Sequence, residues 1–114
     1  MHMYFNETQI KAILKLGQEM AKADGTVTLE EIRVLAMESV WLNIPKERMD
    51  QLITESANMN QGDAISIVST MSSEQKKHVS AFLAAVLFAD KIPHPDEMKL
   101  WTFVCNMASI PYNY

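Results

Sequence analysis

Four carboxylates stand at matched positions in this 114-residue chain. Asp24 and Glu31 form one pair, and Asp90 and Glu97 form a second pair with the same spacing. Each pair lies in a short loop that runs into a helix start, "KADGTVTLEE" (22–31) and "FADKIPHPDE" (88–97). Carboxylate oxygens gathered in one place are what a hard divalent cation (Ca2+, Mg2+ or Mn2+) binds. The first loop looks like half of an EF-hand, but the register fails. With Gly25 at the sixth loop position, Met20 and Lys22 fall on the first and third ligand positions; the second loop puts Val86 and Phe88 there. Neither loop holds calcium alone by that scheme. A shared site is the remaining cation reading: if the loops pack side by side, Asp24, Glu31, Asp90 and Glu97 converge, and an empty cluster of that kind would repel itself.

The same residues also make good helix starts. Thr28-Leu29-Glu30-Glu31 has the capping-box pattern, in which the hydroxyl accepts from the Glu31 amide and the Glu31 carboxylate accepts from the Thr28 amide. His94-Pro95-Asp96-Glu97 is a second version, with Pro at the first helical position. Acidic side chains also suit the positive end of a helix dipole. A cap accounts for each Glu, but not for an Asp at the same distance before it in both halves.

The elements that position these loops are helical. Ile10, Ile13, Leu14, Gly17 and Met20 recur at helical spacing behind Asn6, with Gln9 completing a capping box, and predict a helix over 7–23. Gly17 on that buried stripe lets another helix approach closely. A second helix is expected over 29–42 with Ile32, Leu35, Ala36 and Val40 inward. A third begins at Pro45, with Met49, Leu52 and Ile53 inward. A fourth spans 61–70 behind Asn60, burying Ile65 and Val68. A fifth follows Ser72, with Gln75 as its capping partner and Val79, Phe82, Leu83, Val86 and Leu87 inward. A sixth begins at Pro95 and uses Met98, Trp101, Val104, Cys105 and Ala108. No segment alternates with period two for long enough to be a strand. "AKADGTVTLEEIRVL" aligns without a gap on "LFADKIPHPDEMKLW", so the chain reads as one all-α domain over 1–114. It is a compact bundle of about six helices built from two related helix-loop-helix halves centred on 7–42 and 73–109.

Composition narrows the function. A net charge of −4, with no Lys/Arg cluster beyond Lys76-Lys77, argues against nucleic acid as partner. Cys105 is the only cysteine, which rules out an internal disulfide and suits a reducing, cytoplasmic setting. The N-terminal residues lack the pattern of a secretory signal. The longest apolar run, Ala81–Ala89, is far short of the ~20 residues of a membrane span, so an integral membrane protein is not expected. His2, His78 and His94 have no zinc-ligand spacing, although His94 stands near Asp90 and Asp96. Cys105, one turn from Trp101 on an apolar stripe, reads as a buried, inert thiol. Nine methionines fill a core or line an adaptable groove; Met37, Met49 and Met59, together with Trp41, are the side chains whose exposure would mark a partner surface. Gly-rich phosphate loops and nucleophile–base sets are missing from the sequence, and no enzyme activity is expected.

"ADGTVTLEE" in the first half, and "EQKKHVSAFLAAVLFAD" followed by "DE" in the second, resemble the TerB-like family, named for a tellurite-resistance protein. The resemblance covers nearly the whole chain. It implies an all-helical, non-catalytic domain in two related halves, acting in cytoplasmic or membrane-associated stress assemblies and engaging a protein partner; a related domain occurs in membrane-anchored DnaJ-class co-chaperones. It also implies a divalent cation held by Asp24, Glu31, Asp90 and Glu97. Lys91 departs from the pattern, standing where the first loop has Gly25 and setting an ammonium beside that site. The alternative is an adaptor that uses its acidic loops only as caps and binds a protein through an exposed apolar Met/Trp surface, with no metal.

Overall fold

A computed structural model describes residues 4–23, 25, 27–89 and 93–110. Among them six α-helices follow in order: α1 Glu7–Lys22, α2 Leu29–Trp41, α3 Lys46–Ala57, α4 Gln61–Ser69, α5 Ser73–Leu87 and α6 Pro95–Ala108. The described residues contain no strand, and no helix among them is long and apolar enough to cross a membrane. The expected all-α bundle is therefore what this chain forms. Pro45 differs slightly from expectation: it is the N-cap of α3 rather than its first helical residue.

Four of the helix starts are closed by reciprocal capping boxes: Asn6 with Gln9, Thr28 with Glu31, Ser72 with Gln75, and His94 with Glu97. In each, a side chain satisfies an amide that the helix leaves without an internal partner. The ends of α2 and α6 also match. Asn43 (φ 58°) and Ser109 (φ 57°) both take the left-handed conformation. The next residue then donates back along the helix, Ile44 to the Ser39 carbonyl at 3.3 Å and Ile110 to the Cys105 carbonyl at 2.9 Å. That is the bond of a Schellman end, and the two ends stand in the same register as the acidic repeat.

Helix α1 runs through the middle of the bundle and packs against all five others. Ala12 to Gly17 are buried without a break, so α1 is enclosed on more sides than a single apolar stripe requires. Gly17 lies against side chains of α5 and α2. A Cβ there would lie 2.5 Å from the Phe82 ring and 2.9 Å from a Leu35 methyl, so only a hydrogen fits. The rest of the core comes mainly from Leu52, Val68, Val79, Leu83, Val86, Leu87, Trp101, Val104 and Cys105.

Helix α2 corrects the expectation. Ile32, Ala36 and Val40 do not face inward: Ile32 is 50 % exposed and Val40 76 %. The buried residues of α2 are Glu31, Glu38 and Ser39, with Val34, Leu35 and Leu42 partly buried against the core. The inward stripe is thus 31/34/35/38/42, and the opposite stripe 29/32/36/40 is also apolar. Two buried carboxylates mark the inward one, and one of them reaches another helix. Glu31 turns in to cap Thr28, and Glu38 reaches His78 on α5 at 2.7 Å. Ile53 on α3 and Met98 on α6, also expected inward, are exposed as well.

Candidate functional site

The described half of the acidic set is committed to helix starts. Glu31 Oε1 accepts from the Thr28 amide at 2.9 Å and Glu97 Oε1 from the His94 amide at 3.1 Å. Both side chains are buried, Glu31 only 1 % exposed. His94 Nδ1 accepts from the Asp96 amide at 3.1 Å. Asp24 and Asp90 lie outside the described residues. Among the described residues, no three His, Cys, Asp or Glu side chains are grouped to hold a metal ion. The arrangement gives a shared cation no support beyond the spacing of the residues in the chain.

A different site is present between α2 and α3. These two helices flank α1, and a slot of about 480 Å³ opens between them. Leu14 and Gln18 of α1 form its floor. Ile32, Leu35, Ala36, Ser39 and Val40 line the α2 side, and Met49 and Ile53 the α3 side. The slot continues along α2 into a shallower hollow edged by Ala36, Met37, Val40 and Trp41. At the other end it meets a smaller one, at Gln18, Leu35 and Val27. Met37 stands 72 % exposed at the edge and Trp41 36 %. Met49 is half-buried in the wall; Met59 packs against the core instead.

Polar contacts help to hold both walls of the slot in place. Helix α3 is tied to α1 by four polar contacts: Arg48 to Glu7 at 2.6 Å, Lys11 to Glu55 at 3.2 Å, the Lys15 ammonium to the Ala57 carbonyl at 3.1 Å, and Gln18 to the Ser56 hydroxyl at 2.9 Å. Lys15 is buried and sits at the C-terminal end of α3, where a cation meets the negative end of the helix dipole. Hydrogen bonds from Gln51 and then Lys11 hold the Glu55 carboxyl below its ordinary range. Helix α2 is held by the Glu38–His78 contact. Trp41 stacks on the His78 ring, centroids 3.9 Å apart and 17° from parallel, and Phe5 meets Trp41 edge-on at 6.3 Å. Leu52 of α3 and Val34, Leu35 and Leu42 of α2 pack on the core as well, while Ile32, Val40, Met49 and Ile53 face the slot.

The lining offers no acid, base or nucleophile. Its polar members are Gln18, bound to Ser56, and Ser39, whose hydroxyl donates to the Leu35 carbonyl at 3.1 Å. Cys105 lies in the core, and burial pushes its thiol up from 9.0 to about 11. Chemically, the slot can exclude water from an inserted apolar group, and the sequence reading missed it by placing 32, 36 and 40 in the core. One signal was present: apolar residues surround α2 on more than one face, so one face had to remain uncovered.

Comparison with known proteins bears on the fold. The chain is similar to a crystal structure of a protein of unknown function from Porphyromonas gingivalis, at 28 % identity and a TM-score of 0.82, covering 96 % of this chain and 88 % of that one. No family model and no curated protein matches the chain.

Proposed function

We propose that this chain is a non-enzymatic interaction domain of TerB-like type, whose working surface is the apolar slot between α2 and α3. The observation that carries the reading is the orientation of α2, which buries two carboxylates and a serine while exposing Leu29, Ile32, Met37 and Val40. Soluble domains rarely leave so contiguous an apolar patch uncovered unless something docks there. A walled, apolar groove with a wet rim is the form that accepts an apolar segment of another polypeptide, read by anchors at helical spacing. Helix starts and ends that recur in one common register in α2 and α6 support the TerB-like reading and its two related halves. In that reading the domain docks within a stress-related assembly, including one attached to a membrane surface. The cation at Asp24, Glu31, Asp90 and Glu97 is the weaker part, because the two described carboxylates already serve as caps.

The test is a titration of ¹⁵N-labelled protein with an amphipathic helical peptide carrying leucines at i, i+3, i+4 and i+7. Saturable shifts at Leu35, Ala36, Val40 and Ile53 are expected, together with their loss in an Ala36→Asp variant that keeps its helical circular dichroism. Shifts spread evenly over the surface, or none, would remove the slot as a docking site.

A further inference from the structure

We infer that the slot is occupied by a second copy of this chain, joined across a two-fold axis beside α2; this rests on reading the slot as a docking surface. Three observations point to self-association.

The projecting and receiving parts are neighbours on one helix. Met37 and Val40 stand out from α2, Val40 on the rim of the slot itself, and the slot opens from there toward Ile53. A two-fold contact needs such a self-complementary patch, since each copy must offer both parts at once. Rotation about the axis sets the projecting side chains of each α2 against the slot of the other, and both are covered together.

The area is of the required size. The exposed parts of Leu29, Ile32, Met37, Val40, Trp41 and Ile53 amount to roughly 600 Å², about three quarters of the ~800 Å² per partner of a standard interface, and the rim residues around them supply the rest. The charge is also suitable. Along α2 the exposed charges are Glu30 and Arg33, which cancel, while Glu31 and Glu38 are turned inward. Two copies of a chain with net charge −4 repel little through a formally neutral face.

Sedimentation velocity on the whole chain, from about 1 μM to about 1 mM, brackets the affinity of an interface of this size. A concentration-dependent monomer–dimer equilibrium is expected. Val40→Glu should weaken it by at least about tenfold, because each dimer then buries two unpaired carboxylates. Val40 is exposed in the monomer, so helical content should not change. A nitroxide on Met37→Cys of an unlabelled copy should broaden the Leu35, Ala36 and Ile53 resonances of a ¹⁵N-labelled copy. Three results would overturn the inference: a monomer at every concentration, a dimer indifferent to Val40→Glu but lost in Phe103→Glu on α6, or broadening confined to α6. A monomer whose slot resonances still shift with the amphipathic peptide would end self-association and leave the docking reading standing. A monomer that also ignores the peptide would end both.

Discussion

Replacing Glu38 with Met, His78 with Phe, and both together probes what holds α2 in its unusual orientation. The Glu38 and His78 side chains are 7 % and 15 % exposed, and Glu38 Oε2 lies 2.7 Å from His78 Nε2. Glu38→Met leaves an imidazole that still touches water, so the loss should be about 1–2 kcal/mol, the cost of a partly buried polar group without its partner. His78→Phe keeps a ring for Trp41 to stack on but leaves a carboxylate buried without its donor, which costs about 3 kcal/mol. The double variant replaces both groups with apolar ones of similar size and should return to within ~1 kcal/mol of the parent. The cycle therefore yields a coupling energy of about 3–5 kcal/mol. At this chain length about 1 kcal/mol corresponds to about 4 °C, so His78→Phe should melt about 12 °C lower. Urea unfolding at one fixed pH, with an unchanged m-value, is the assay. Losses that add within ~0.5 kcal/mol would refute the claim that this contact anchors α2.

Gly17→Ala should lower stability by about 1 kcal/mol in urea unfolding. Overpacking against Phe82 and Leu35 costs about 1–3 kcal/mol, against ~1 kcal/mol gained in helix propensity. Displaced Leu35 should also narrow the slot and weaken peptide binding; an unchanged affinity would separate the two. Glu31→Gln keeps an acceptor for the Thr28 amide, so its thermal melt should show a loss of only about 0.5–1 kcal/mol, the helix-dipole share. Millimolar calcium, magnesium or manganese should then move parent and variant alike. A metal-dependent rise in melting temperature that vanishes in the variant would restore the shared cation site. The Cys105 thiol, raised to about 11 by burial, is protonated in the fold at pH values where the unfolded chain ionises. Its contribution is complete below about pH 9 and is lost as pH rises through about 11, by roughly 3 kcal/mol at most for a shift of that size. Urea unfolding of the parent against Cys105→Ala between about pH 8 and about pH 11 isolates that slope.

Where four of the helices begin was legible because a capping box is a local object. Asn6 and Gln9, or Ser72 and Gln75, lie within one turn of each other, and their mutual hydrogen bonds need nothing from the rest of the molecule. The inward stripe of α5 was legible too, since Val79, Phe82, Leu83, Val86 and Leu87 form a single apolar face. Helix α2 was not. Its stripes at 29/32/36/40 and 31/34/35/38/42 are both credible as a buried face when read alone. Hydrophobicity favoured the first, and His78, far along the chain on α5, selected the second.

The acidic loops divide in the same way. Spacing and residue type put Glu31 and Glu97 in the first turns of their helices, and the caps they form there follow from that local chemistry, whereas Asp24 and Asp90 lie outside the described residues. Helix content, helix ends and the central place of Gly17 were therefore determined by the chain itself, through interactions that span a few residues or one unambiguous face. The slot was decided by tertiary structure alone. Its walls are set by contacts between residues distant in the chain, the polar ties of Glu7, Lys11, Lys15 and Gln18 to α3 and of His78 to α2 together with the core packing of Leu52, Val34, Leu35 and Leu42, and these leave one apolar face of α2 uncovered.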